Sequence, residues 1–297
     1  MKPVEPILTI ELFPPLSAAL LTVLKQIQSA AWDNLTVCAP WTVKDVAAHL
    51  LGGSIGRLAA ACHTLAPLNS PGADYEALFA LREQLLQNAK AVTGYADLVD
   101  LINTLNAGWV EATRHYRPAQ LIEFLEITDE LLYRHFKTWP PYEAAPIAVA
   151  WAGETQSPNW FDIAREYTEK WLHQQHIREA VGQPILDSRR WLLPVLDTFM
   201  RALPVTYQNV AAPEQTAITI HLTGPAGGEW SLLRQDHRWV LFAGVAPQAA
   251  ASIWLEQDVA WRLFTKGISP SNAQKQIQID GNAALGAEML KTVSIMA

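Results

Sequence analysis

Basic runs, long apolar stretches and cysteines are what this 297-residue chain has least of. Lysine and arginine number 22 against 29 aspartates and glutamates, a formal charge of -7. No basic run supplies the electrostatic footprint of a nucleic-acid or anionic-membrane binder. No segment reaches the ~20 apolar residues of a membrane-spanning helix. The opening "MKPVEPILTIELFPPLSAALL" has Pro and Glu where a secretory signal needs a basic region and then an unbroken apolar one. These absences predict a cytoplasmic protein with small-molecule partners, binding neither nucleic acid nor membrane. The two cysteines, Cys38 and Cys62, lack zinc-site or redox-motif spacing and read as reduced thiols that carry little functional information. There is also no internal repeat and no low-complexity segment.

Half the residues are hydrophobic, 17% are charged and 12 are Trp, a globular composition in a chain long enough for two domains. From residue 14 to about 182 apolar residues recur at three and four, which predicts helices over roughly 15–31, 74–91, 96–114 and 118–136. Another starts at Val43, because Thr42 and Asp45 have capping-box spacing. The run "PPYEAAPIAVAWAGETQSPNW" reads as a long loop, with a helix starting near Asn159 after it. Beyond "SRRWLLPVLDTFMRALP", a linking helical segment, the pattern changes. "TAITIHLTG" and "QIQID" alternate, "GEWSLLRQDHRWVLFAG" suggests two strands about the turn "QDHR", and "TGPAGGEW" suggests a hairpin turn. "PQAAASIWLEQDVAWRLFTKG" and "NAALGAEMLKTVSIMA" read as helical. The expectation is a helical domain over 1–185 and a small α+β domain with its linking helix over 186–297.

The segment "REYTEKWLHQQHIREA" raises the question of chemistry. At ~100° per residue, Asp162, Glu166, Glu169, His173 and His176 fall in one sector of a helix. Leu172 and Ile177 lie on its shoulders, and Thr168, Gln175 and Glu179 are the expected water face. A partly buried stripe of carboxylates and imidazoles must hydrogen-bond internally or coordinate an ion. Glu169 and His173, four apart, bring their heads together, and a third ligand must come from elsewhere. His49 is the candidate. Gly52, Gly53 and Gly56 follow it and either clear space beside the imidazole or mark a close helix crossing. His63, His115, His135, His221 and His237 lack ligand-spaced companions and read as structural.

"PWTVKDVAAHL" and "EYTEKWLHQQHIREAVG" together resemble the two signatures of the mycothiol-dependent maleylpyruvate isomerase family. "AWRLFTKG" and "QIQIDGNAALGAEMLKTVSIMA" are similar to that family's second domain. The resemblance implies a DinB-like up-down four-helix bundle followed by a small sterol-carrier-like α+β domain. It implies a metal triad at His49, Glu169 and His173, the same set that spacing suggests. His176 stands where the family commonly has Asp. Two imidazoles and a carboxylate suit a divalent metal, zinc first, with a position left open. The implied activity is that of an isomerase or thiol transferase on a small electrophilic acid, with mycothiol or another low-molecular-weight thiol as co-reactant. Catalytic roles then fall to His176 and Arg262, and Arg57 and Arg178 are candidates to bind the anionic reactants through bidentate forks. Two other functions fit the same residues. One is a hydrolase using metal-activated water, with His176 or Glu166 as proton carrier. The other is a non-catalytic protein that binds a metal and an apolar ligand.

Overall fold

A computed structural model describes residues 1–59, 75–87 and 92–295. Its contacts divide it into two units, one of Ile10–Pro140 with Glu169–Ile185, the other of Met1–Thr9, Pro141–Thr168 and the residues from Leu186 onward. Cys62, His63 and the expected helical residues 74 and 88–91 lie outside the described part.

The first unit contains helices α1 (Phe13–Gln26), α2 (Val43–Ala59), α3 (Tyr75–Gln87), α4 (Tyr95–Thr113) and α5 (Pro118–Lys137). It also holds the later part of α6 (Asn159–Ala180), whose beginning belongs to the other unit. The start of α2 is fixed by a reciprocal capping box. The Thr42 N–H donates to Asp45 Oδ2 at 3.0 Å and the Asp45 N–H to Thr42 Oγ1 at 3.2 Å. α2 packs against α3, α4 and α5, and Leu51, Ile55, Trp109, Leu125 and Ile177 form part of the shared core.

The glycines of α2 serve that packing. A Cβ on Gly52 would lie 2.6 Å from the Trp109 ring, and one on Gly56 would lie 3.2 Å from the Arg82 guanidinium. The indole Nε1–H of Trp109 donates to the Ala48 carbonyl at 2.8 Å, so the close approach also satisfies a buried donor. Gly52 and Gly56 therefore mark helix crossings, the second of the two roles open from sequence.

α6 departs from its expected amphipathic layout. Thr168 is 2% and Gln175 0% exposed, and of the predicted water face only Glu179 is exposed. The polar groups are satisfied locally: Thr168 Oγ1 donates to the Arg165 carbonyl and Gln175 Nε2 to the Trp171 carbonyl, both at 2.7 Å. Deeper in, Lys170 Nζ donates to Asp129 Oδ1 at 2.7 Å and Ser54 Oγ at 2.9 Å. Ser17 and Ser54 donate to the same carboxylate. A buried ion pair thus links α6 to α2 and α5.

In the other unit α7 (Arg189–Met200) and α8 (Leu203–Thr206) precede all but the first strand of a mixed six-stranded sheet. Its strands are β1 (Lys2–Pro3), β2 (Ala217–Thr223), β3 (Gly228–Gln235), β4 (Arg238–Ala243), β5 (Ala251–Glu256) and β6 (Gln278–Gly281), in the order β1-β4-β3-β2-β5-β6. Only the β2–β5 pair is parallel. The "QDHR" turn joins β3 to β4 with Asp236 and His237 at φ 51° and 60°, the left-handed pair that a tight two-residue hairpin demands. Helices α9 (Gln257–Phe264), α10 (Pro270–Ala273) and α11 (Ala283–Ala287) complete it, with α9 packed on β2 and β5. "ASIWLE" is strand β5, whereas its apolar spacing suggested helix. Ala251, Ile253 and Leu255 are buried in alternation, and pairing with β2 and β6 decides between two periods that so short a run cannot distinguish.

Two stability outcomes follow. Lys170→Met should cost about 3–5 kcal/mol in denaturant unfolding, because it leaves the Asp129 carboxylate buried without its cation; a loss under about 1 kcal/mol would show the pair to be dispensable. Gly52→Ala gains about 1 kcal/mol of helix propensity but forces a clash with Trp109 that costs about 1–3 kcal/mol. The net expectation is a lowered urea midpoint, and a raised one would show that the indole can move aside.

Candidate metal centre

Residues on two helices and one turn converge in the helical unit. α2 supplies His49. α6 supplies Glu169 and His173, one turn apart, and His176, about a turn further on. Each of His49, Glu169 and His173 offers one ligand atom, and the three atoms lie within 4.8 Å of one another. Glu169 Oε2 is 3.5 Å from His173 Nε2. The His49 and His173 rings meet edge to face at 4.5 Å between centroids, and the Trp41 ring lies 5.1 Å from that of His49.

A second set shares His173. Cys38 Sγ lies 3.1 Å from His176 Nδ1, and one ligand atom each from Cys38, His173 and His176 again fall within 4.8 Å of one another. Cys38 reads from sequence as a thiol of little functional weight, because it and Cys62 lack zinc-site or redox-motif spacing. The turn before α2 brings it in: Leu35 bridges to Thr42, and the Thr36 N–H donates to the Trp41 carbonyl at 3.0 Å. A cysteine just before the capping box was the available signal.

Electrostatics at His173 reflect both sets. Burial pulls the imidazole's pKa down, but hydrogen bonding to Cys38 and Glu169 and the charge of Glu169 outweigh it and raise the group to about 9. Its Nδ1 is buried and meets no hydrogen-bond partner among the described residues. A buried nitrogen without a partner costs free energy unless a bound group meets it. With two imidazoles and a carboxylate converging, the donor set fits a borderline divalent cation.

The other expected site residues lie as follows. Asp162 and Glu166 both pair with Arg165, at 3.2 and 2.9 Å. Arg57 sits partly buried on α2, about two turns beyond His49. Arg178 is buried and donates to the carbonyls of Pro184 at 3.0 Å and Ala19 at 3.2 Å. Arg262 belongs to the sheet-containing unit, pairs with Asp258 at 3.0 Å and lies over the Trp261 ring at 4.2 Å. No described helix is long and apolar enough to cross a membrane.

The raised pKa of His173 sets a pH window. In the metal-free protein its protonated ring stabilises the fold fully below the unfolded value of about 6.5. That contribution is lost as pH rises toward about 9. The stability of metal-free wild type should therefore fall across this interval more steeply than that of His173→Gln. Parallel pH profiles would exclude the shift.

A family model described as the mycothiol maleylpyruvate isomerase N-terminal domain matches residues 13–178, more than half of the chain. No curated protein matches. The chain is similar to crystal structures of the mycothiol-dependent maleylpyruvate isomerase and of a point mutant of it, with TM-scores of 0.44 and 0.47. Each is 11% identical, and the match covers 86% of this chain and 86% of that one.

Proposed function

The chain belongs to the mycothiol maleylpyruvate isomerase N-terminal domain family, and from that premise we propose that it is a metal-dependent enzyme using a low-molecular-weight thiol. The reaction is isomerisation of a small enoyl-type acid, or transfer of the thiol to a related electrophile. The convergence of His49, Glu169 and His173 carries this reading. We read the helical part, to about residue 185, as a DinB-like bundle and the remainder as sterol-carrier-like.

His49, Glu169 and His173 would hold a zinc-class ion, whose Lewis acidity favours the thiolate form of a bound thiol or polarises a carbonyl. Isomerisation then needs addition of the thiolate to the activated double bond, rotation about the resulting single bond, and expulsion of the thiolate from the trans product. The thiol is regenerated and no redox partner is consumed. The chain's own residues position and shield these steps. Trp41 packs against the His49 ring and covers one part of it. His176, buried beside His173, carries a proton to and from the thiol. Arg57, on the same helix as His49, is assigned the acid's carboxylate. Arg178, already donating to two carbonyls, orders the end of α6 and the chain after it.

Metal analysis of protein purified without chelators, followed by calorimetric titration with mycothiol, tests the proposal. Stoichiometric metal is expected, and Glu169→Ala should weaken it at least about a hundredfold, by analogy with the 10- to 100-fold losses seen for outer-shell changes. Thiol binding should disappear with the metal. Stoichiometric metal with no thiol affinity would sink the thiol-using assignment.

A further inference from the structure

Cys38 takes no part in the scheme above, although it touches the residues that do. We propose that Cys38, His173 and His176 form a second seat for a transition-metal ion, sharing His173 with the seat of His49 and Glu169, so that one ion occupies one seat or the other. The proposal rests on the reading of His173 as a ligand.

Three observations carry it. The three donor atoms lie within 4.8 Å of one another, the spread a single ion can span. The closest pair, Cys38 Sγ and His176 Nδ1, is already at 3.1 Å. His176 is 8% exposed, so one donor of the seat is held away from competing water.

The chemistry separates the two seats. Each supplies two imidazoles and one anionic donor, so they differ in softness and hardly in charge. A thiolate favours zinc-class and softer ions over magnesium or calcium, whereas the carboxylate of the first seat suits harder ones as well. Binding at the second seat needs Cys38 as a thiolate and both imidazoles neutral, so it is coupled to proton release. With Nδ1 of His176 as the donor, its ring proton stays on Nε2. Since His173 belongs to both sets, an ion held by Cys38 withdraws a ligand from the Glu169 seat and takes that seat out of use. Cys38 thereby acts as a brake on the proposed activity.

Cobalt(II) added alone to metal-free full-length protein distinguishes the seats, because only thiolate ligation gives intense sulfur-to-cobalt charge-transfer absorption in the near ultraviolet. Wild type is expected to bind one cobalt per chain and show the band. Cys38→Ser and His176→Gln should lose it, His49→Ala and Cys62→Ser should keep it, and circular dichroism should show each variant folded. A band absent from wild type, persisting in Cys38→Ser or lost with Cys62→Ser overturns the second seat, and two cobalts per chain overturn its exclusivity. Stoichiometric cobalt without the band, lost in Glu169→Ala, leaves the first seat standing while the second falls. A band retained in His49→Ala together with no mycothiol affinity in any metal-loaded form supports the second seat and sinks the thiol-using reading.

Discussion

A helix can be buried on most of its circumference and still carry ionisable groups only if each group is met. That constraint governs α6. The Lys170 ammonium is met by Asp129 and Ser54, and the side chains of Thr168 and Gln175 turn back to carbonyls of their own helix. Apolar packing alone would leave these groups as penalties of several kcal/mol each. Paired as they are, they fix which way the helix faces, and the side chains of Glu169 and His173 are aimed as a result.

The residues for which this scheme leaves room are the ones that could bind something. His173 has a buried nitrogen without a partner among the described residues, and the amide of its neighbour Gln174 is likewise buried and unmet. Its neighbours are a carboxylate, two imidazoles and a thiol. The sheet-containing unit follows a different physical logic, in which strand pairing and apolar burial do most of the ordering.

Much of this was legible in the sequence where a period was long enough to count. The start of α2 followed from Thr42 and Asp45, and the meeting of Glu169 with His173 followed from a separation of four on a helix. His49 was found through the glycines beyond it, though Gly52 and Gly56 prove to accommodate Trp109 and Arg82. Other features have no local signature. Cys38 reaches the histidines through a turn closed by hydrogen bonds from Thr36 and by the Leu35–Thr42 bridge, a fold-back that periodicity cannot register. The burial of Thr168 and Gln175 depends on what packs over them from elsewhere in the chain, which a single-helix pattern does not contain. β5 was misread because six residues satisfy a helical and an alternating pattern about equally, and only its partners decide.

Two of the three residues proposed for the first seat are covalently tied to one rod, and the third stands on another. The geometry of that trio therefore reduces to very few variables: how far α6 slides along α2, and how far it turns. A turn of one residue, ~100°, would carry Glu169 and His173 away together, so the seat fails as a whole and does not degrade by one donor at a time. Lys170, immediately after Glu169 in the chain, is the pin against that motion, because its bonds to Ser54 on α2 and Asp129 on α5 set the phase of the rod. The proposed ligands are thus held in alignment by a residue that need never touch what they would bind.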